Sequence, residues 1–199
     1  MFFSKTTAPP KDSLQEKAAQ LLVTPTALAD LSAVDAQIVV GYMLAQRLKQ
    51  GTLFIKEGEV THTDFMMLII EGEVTVENEG NASAGAGGAV MSVIGPGSMI
   101  GEMGLLDGEP RSATCKATTD LTVAILPRES LLRLITTEPA VAARLMLAIS
   151  KRLSDRLREA NRKIKILDGL NRALWQELDT AHKPLASGRP VALVKPRSI

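Results

Sequence analysis

Two patterns of hydrophobic and polar positions divide the chain. Before residue 50, apolar residues recur at spacings of three and four, which predicts two short helices over residues 13–22 and about 30–48. Over residues 51–127 the pattern changes to short runs of β-branched residues separated by Gly, Pro, Asp and Asn, which predicts many short strands. Strands of this length and spacing are typical of a small antiparallel sandwich, barrel or jelly roll. We therefore expect a mainly β domain that is preceded by short helices.

Helical spacing returns after Pro127 and continues to about Ala181. Positions that alternate in steps of four and three form a coiled-coil seam; they are Met146, Ser150, Leu153, Leu157, Ala160, Ile164, Leu167, Asn171, Leu174 and Leu178. One interpretation is that this stripe covers the chain's own β domain. A helix of this length, on the order of 60 Å at 1.5 Å per residue, is too long for a compact barrel to cover. The pattern, with Asn171 at a core position that favours two strands, therefore favours a parallel homodimer through residues 146–178.

These patterns predict four segments. Residues 1–12 are polar and contain two prolines, which predicts a flexible arm, and residues 182–199 are predicted to be a flexible basic tail. Between them we expect the β domain with its first helices over residues 13–138. The long helix is expected over residues 139–181, with a proline in its first turn, where proline is well tolerated.

Composition excludes several classes of function. A net charge of +1 gives no strong field for a polyanionic partner such as nucleic acid. The single cysteine, Cys115, excludes an internal disulfide and a cysteine-based zinc site, and the two histidines are not spaced as metal ligands. The start of the chain does not resemble a signal peptide, and no apolar run approaches 18 residues. We therefore expect no bound metal, no membrane span and a cytoplasmic location.

The stretch GEMGLLDGEPRSATC, residues 101–115, gathers three functional side chains around glycines. Arg111 supplies forked, positively charged donors that suit two phosphate oxygens, and Ser112 supplies a hydroxyl donor. Glycines and a short helical turn would direct backbone N–H groups toward the same phosphate. Glu102 would repel phosphate but accepts hydrogen bonds from a sugar hydroxyl. The stretch therefore indicates recognition of a sugar phosphate without catalysis, since it holds no pairing of a nucleophile with a base.

A second interpretation is that Glu102 and Arg111 form a mutual salt bridge at the surface, beside a turn. Such pairs are common in proteins, but they do not require the surrounding glycines or serine.

These residues resemble the phosphate-binding cassette of the cyclic-nucleotide-binding domain family, which includes the bacterial catabolite activator protein and protein kinase A regulatory subunits. The cassette GEMGLLDGEPRSAT has its Gly, Glu, Pro, Arg and Ser at the spacing of that family. KQGTLFIKEGE, LIIEGEVTV and IGPGSMIGE resemble the family's glycine-bracketed hairpins and the strand that enters the cassette. The resemblance covers roughly residues 30–165. It implies an eight-stranded antiparallel β-roll (a jelly roll) with short helices before it and a long C-terminal dimerisation helix after it.

The resemblance also implies roles for individual residues. Glu102 would accept the ribose 2′-hydroxyl, and Arg111 and Ser112 would hold the cyclic phosphate. Backbone N–H groups of the segment that contains Gly101, Met103 and Gly104 would assist them.

Contacts to the base are implied less directly. Val76 and Met91 correspond to apolar positions against the base. The family's hydroxyl residues on the long helix are replaced here by Arg156 and Leu157, so that Arg156 and Arg152 are the candidates to stack on the base or donate to it. Ser112, in place of the threonine common in members that favour cyclic GMP, favours cyclic AMP.

Three functions follow as hypotheses. The first is a non-enzymatic receptor for cyclic AMP or cyclic GMP, with no other cofactor, that signals through its C-terminal helix to an unidentified effector protein. The second is a structural or adaptor dimer with a vestigial ligand site. The third is a DNA-binding regulator, suggested by seven basic and two acidic residues over 151–165. Against it, we expect no winged helix-turn-helix domain after Ala181, since that domain needs at least about 50 further residues.

Overall fold

The computed structural model describes residues 11–78 and 89–181. The predicted basic tail lies outside these ranges, as do residues 1–10 of the predicted arm. The chain divides into two units, Met1–Leu153 and Ser154–Ile199, which are described separately.

The first unit begins with two helices and continues into eight strands. The helices are α1 (Lys11–Leu22), α2 (Ala33–Gly41), α3 (Glu102–Asp107), α4 (Arg128–Thr137) and α5 (Pro139–Ala181), the last of which continues into the second unit. The strands are β1 (Leu44–Leu48), β2 (Leu53–Ile55), β3 (Phe65–Glu71), β4 (Val74–Asn78), β5 (Ala89–Ile94), β6 (Met99–Ile100), β7 (Thr114–Ala117) and β8 (Leu121–Pro127). Within the described ranges, no helix combines the length and apolar character that crossing a membrane requires.

The strands form two four-stranded antiparallel sheets, in the orders β1-β8-β3-β6 and β2-β7-β4-β5. The predicted eight-stranded antiparallel β-roll with flanking helices is therefore confirmed. The run FMMLII in strand β3 is apolar throughout, without the alternation of a strand that has one exposed face. Met66, Leu68 and Ile70 pack with the helices, whereas Met67 and Ile69 pack between the two sheets. Both faces of this strand are buried, since successive side chains point to opposite faces.

The prediction of one helix over about residues 30–48 is wrong in its second half. Helix α2 ends at Gly41, and the N–H groups of Tyr42 and Met43 bond back to Val39 and Val40. Residues Leu44–Leu48 form β1, an edge strand whose register pairs Leu44 with Ile125 on β8. The sequence LAQRL favours a helix by local propensity, but pairing with β8 supplies the long-range hydrogen bonds that override it.

The first turns of α5 pack on the core of the first unit. Leu145 and Ile149 are fully buried there, and the seam residues Met146 and Leu153 pack partly against the same cluster. An ion pair secures this contact: Nε and Nη2 of Arg144 donate to the two carboxylate oxygens of Asp35, each at 2.7 Å. The first residues of the predicted seam thus contact the chain's own domain, and the dimer itself stays a prediction.

The second unit contains the rest of α5, from Ser154 to Ala181. Its large apolar side chains are mostly exposed; they include Leu157, Ile164, Ile166, Leu167, Leu170, Leu174 and Leu178. They include the seam positions Leu157, Ile164, Leu167, Leu174 and Leu178, whose pairing with a second chain stays a prediction.

We expect Asp35→Asn to destabilise the first unit at neutral pH. The hydrogen bonds from Arg144 hold the pKa of the Asp35 carboxyl below its ordinary value of 3.8. A carboxyl with a depressed pKa stabilises the fold above its unfolded pKa, and this contribution is lost as the pH falls through the folded pKa. The melting temperature of the variant should therefore lie a few degrees below wild type at pH 7, and the gap should close below about pH 4.

The control is Asp30→Asn, which removes an exposed ion pair between Asp30 and Lys151. Lys151 lies on α5, like Arg144. Exposed pairs contribute little, so this variant should melt close to wild type throughout. A difference in melting temperature between Asp35→Asn and wild type that is independent of pH would contradict a stabilising role of the Asp35 carboxylate.

Candidate functional site

The cassette is built around a short helix between two glycines. Gly101 precedes α3 with φ of 81°, and Gly108 follows it with φ of 73°. Both lie in the left-handed region, which favours glycine because other residues place Cβ against the backbone there. The N–H of Gly108 donates to the carbonyl of Gly104 at 3.0 Å and closes the helix. The turn that the sequence predicted is therefore formed by residues that suit it.

The Arg111 side chain is buried, with 6% of its surface exposed. Its Nη1 donates to the carbonyls of Phe65 and Gly101, both at 3.3 Å. Its Nη2 donates to the carbonyls of His62, at 3.0 Å, and Phe65, at 3.3 Å. The guanidinium also lies over the Phe65 ring, 4.3 Å from its centroid. We call these three carbonyls, of His62, Phe65 and Gly101, the carbonyl cradle.

The cradle leaves one donor of Arg111 without a partner. The Nε–H is buried and forms no hydrogen bond within the described residues. A buried donor without an acceptor costs about 1–3 kcal/mol, so native proteins rarely contain one without a reason. The expectation that the fork of Arg111 holds two phosphate oxygens stays a prediction, although here the fork has other partners. The fork is held by carbonyls, and Nε–H is the donor that remains.

Two cassette glycines make room for the guanidinium. A Cβ on Gly104 would lie 2.5 Å from the carbonyl oxygen of Thr63 and 3.0 Å from Nη1 of Arg111. A Cβ on Gly101 would lie 2.6 Å from the same Nη1. The sequence interpretation assigned these glycines to the approach of a ligand. The structure adds a second reason for them, which is the approach of Arg111.

The loop between β2 and β3 is fastened to the cassette on both sides of Arg111. The N–H of Arg111 donates to the carbonyl of Glu59 at 3.0 Å, and its carbonyl accepts from Gly58 at 2.8 Å. The buried Thr63 hydroxyl donates to the carbonyl of Gly108. His62 has φ of 54°, an uncommon conformation for a residue other than glycine, and its carbonyl belongs to the cradle. The loop thus adopts a strained conformation at the point where it meets Arg111.

Glu102, the first residue of α3, is more deeply buried than Arg111, with 1% of its surface exposed. Because neither side chain is at the surface, the interpretation of a surface salt bridge is wrong. Burial lowers the pKa of Arg111, while the carboxylates of Glu59, Asp64 and Glu102 oppose that shift. Arginine remains protonated at neutral pH. The site therefore holds one buried cation with carboxylates around it.

The buried Cys115 thiol lies next to this charge. Burial raises the pKa of Cys115 to about 11, so the thiol is neutral and is not a nucleophile at neutral pH.

Four further predicted site residues lie on the cassette or on the strands: Ser112 and Met103 on the cassette, and Val76 and Met91 on the strands. Ser112 is exposed beside Arg111, and Met103 on α3 is 44% exposed. Val76 is half-buried on β4, and Met91 lies on β5, where its side chain falls outside the described part of the structure.

Among the predicted base contacts on α5, Arg152 donates through Nη1 to the carbonyls of Thr26 and Ala27. These bonds would have to break before Arg152 contacts a base. Arg156 belongs to the second unit, and its role stays a prediction.

Sequence reasoning missed His62, Thr63 and Phe65, all on the loop before β3 or at its start. Two of them act through backbone carbonyls, which every residue type carries, so the sequence held no signal for them. Among the described residues, no group of three or more His, Cys, Asp or Glu is arranged to hold a metal ion.

We expect Gly104→Ala to destabilise the fold and displace Arg111. Forcing a methyl group into the contact with the Thr63 carbonyl and the guanidinium should cost about 1–3 kcal/mol, as overpacking does elsewhere. The matched control is Gly41→Ala at the end of α2, where a Cβ meets nothing within 4 Å. Denaturant unfolding should show a loss for the first variant and no loss for the second. Equal stability of the two variants would contradict the packing of Arg111 described here.

This chain is similar to known proteins in sequence and in structure. The family model described as cyclic nucleotide-binding domain matches residues 45–138, which include the cassette. The cAMP-dependent protein kinase regulatory subunit of Yarrowia lipolytica is 32% identical over 54% of this chain and 27% of that protein. The cyclic AMP receptor protein of Thermus thermophilus is 28% identical over 69% of this chain and 59% of its own length. The chain thus spans less than two thirds of either relative.

A solved cyclic nucleotide-binding domain from Methylobacillus flagellatus superposes with a TM-score of 0.65 and is 27% identical. The match covers 77% of this chain and 83% of that one. The family model and this solved structure are both described as a cyclic nucleotide-binding domain. Residues 45–138 of this chain match the cyclic nucleotide-binding domain family.

Proposed function

We propose that this chain is a non-enzymatic receptor for a cyclic nucleotide, cyclic AMP in preference to cyclic GMP. The observation that carries the proposal is the buried Nε–H of Arg111, which forms no hydrogen bond within the described residues although the rest of the guanidinium is fully engaged. A cyclic phosphate supplies an anionic acceptor for this donor. Its charge also compensates the buried cation, which a protein otherwise buries only at a large cost.

The ligand contacts follow from the chemistry of the cassette. The phosphate accepts from Nε–H of Arg111 and from the Ser112 hydroxyl, with backbone N–H groups near Gly101 and Gly104. Because three carbonyls fix the guanidinium, Nε–H is oriented before the ligand arrives, which reduces the entropy lost on binding. Glu102 accepts the ribose 2′-hydroxyl. A carboxylate there disfavours a second phosphate and selects a neutral hydroxyl.

Preference for cyclic AMP rests on Ser112 and is supported by the two curated relatives, whose names specify cyclic AMP. Every role assigned to the cassette is one of binding, and the thiol nearest to Arg111 is neutral. The proposed activity is therefore recognition without a chemical step.

The second part of the proposal is that the chain acts as a parallel homodimer and signals through α5 to a protein partner. In the second unit, seam residues such as Leu157, Leu167 and Leu174 are each about 60% exposed, at 62%, 64% and 58%. Contiguous exposed apolar surface of this kind marks an interaction site. Asn171 within the seam favours a two-stranded arrangement. A ligand controls such a dimer only if it binds two states of it with different affinity.

The ribose contact gives a test that leaves the protein unchanged. We expect 2′-deoxy cyclic AMP to bind at least roughly tenfold more weakly than cyclic AMP, because Glu102 loses its donor while it remains buried. Competition against a fluorescent cyclic nucleotide measures both affinities on the wild-type chain. Cyclic AMP with an intact ribose but a 3′,5′-phosphorothioate serves as a control for the phosphate side. Equal affinity of cyclic AMP and its 2′-deoxy analogue would refute the role of Glu102.

The seam gives a second test. Leu167→Asp with Leu174→Asp places four charges in the core of the proposed dimer, so the double variant should be monomeric in sedimentation at tens of micromolar. The matched control is Ile166→Asp with Ala173→Asp, which adds the same charges outside the seam. The Ile166 side chain is about as exposed as that of Leu167, at 58% against 64%. The control should remain dimeric. A monomeric wild type, or two variants that behave alike, would contradict the proposed seam.

A further inference from the structure

An apolar groove lies in the first unit, apart from the cassette. It has a volume of about 300 Å³ and is lined by residues of α1, α2 and strands β1, β3 and β8. Val40, Met43, Ile70 and Ala124 are its buried lining residues next to Ala18, whereas Leu44 is 61% exposed. Gln15 contributes the single polar side chain of the described lining. The groove therefore suits an apolar occupant, and no cassette residue takes part in it.

We propose that the groove is occupied by the segment before α1, residues 1–10, through the ring of Phe2 or of Phe3. This segment lies outside the described residues and begins MFF, so that two of the chain's four phenylalanines are adjacent there. An apolar cavity of about 150 Å³ holds one benzene ring. The volume of about 300 Å³ thus has room for a phenylalanine ring and for a further side chain of the same segment. Phe2 and Phe3 match the groove in size and in polarity.

The connection to α1 makes this occupant a near neighbour. The described chain begins at Lys11, and Leu14 lines the groove three residues later. Phe3 precedes Lys11 by eight residues, which span up to about 26 Å when extended. The lining residues of α1 lie within about 11 Å of its start, at 1.5 Å per residue. The segment is long enough to fold back over the groove, and a short tether gives an effective concentration in the millimolar range.

Strand β1 adds an independent reason. It lies at the edge of its sheet and pairs with β8 on one side, while no described strand pairs with its other side. An exposed edge of this kind accepts an extended segment through backbone hydrogen bonds. Leu44 and Ala45 of β1 also line the groove. Because successive side chains of an extended segment point to opposite faces, a segment paired at this edge would bring one of the two rings, Phe2 or Phe3, to the groove.

Disulfide trapping in the full-length chain tests the proposal. In a background with Cys115→Ala, which removes the buried native thiol, Leu44→Cys is combined with Phe3→Cys, and separately with Phe2→Cys. The control pairs Phe3→Cys with Leu53→Cys, a residue of similar exposure (53%) on β2 in the other sheet. A disulfide requires the two Cα atoms to come within about 7 Å. We expect a disulfide within one chain to form at least roughly tenfold faster in one of the Leu44 pairs than in the control.

A second measurement does not depend on disulfide geometry. Phe2→Ser with Phe3→Ser should increase amide hydrogen exchange at residues 40–45, whereas Thr6→Ser with Thr7→Ser should leave it unchanged. Trapping no faster than the control, together with unchanged exchange, would overturn the proposal. A disulfide between two chains would also overturn it, because the occupant would then belong to a second copy. An apolar small molecule that copurifies and protects residues 40–45 in the double serine variant would overturn it as well.

Discussion

The candidate site depends on the hydrogen bonds that hold the buried, positively charged guanidinium of Arg111. Arg111 has little contact with water, and a buried cation is tolerated only where it is surrounded by acceptors. Three backbone carbonyls and the face of Phe65 provide that surrounding. The surrounding residues follow from this requirement: Gly101 and Gly104 leave space for the guanidinium, and His62 takes an uncommon backbone conformation that delivers its carbonyl.

This arrangement separates two tasks within one side chain. The fork of Arg111 holds the loop before β3 against the cassette, and Nε–H is left for an anion. Binding energy is then not spent on ordering the arginine, since the fold has ordered it already. Under the proposed function, this geometry would favour a single phosphate, since one buried cation would face it while Glu102 would disfavour further negative charge. If Arg111 binds phosphate as proposed, this residue links the ligand to the position of the loop before β3.

Much of the fold could be predicted from the sequence because its signals are local. Glycine-separated β-branched runs predicted the strands, and the family resemblance around Glu102, Arg111 and Ser112 identified the cassette. The end of α2 was missed, because LAQRL has helical propensity and becomes β1 only through its pairing with β8. The carbonyl cradle was missed for a different reason: its acceptors are backbone atoms, which no sequence pattern distinguishes. The seam of α5 was predicted correctly as a stripe, but its first turns are used to cover the first unit.

The central claim is that Nε–H of Arg111 is the donor reserved for the ligand's phosphate. It is tested most directly by the ¹⁵N–¹H correlation spectrum of the arginine side chains, with the Arg111 Nε–H signal assigned by its loss in Arg111→Lys. Addition of cyclic AMP to the wild-type chain should shift this signal strongly downfield, as expected for a new hydrogen bond to an anionic oxygen. The signals of Arg128 and Arg133 should stay in place. Saturable binding of cyclic AMP with an unmoved Arg111 signal would contradict the account.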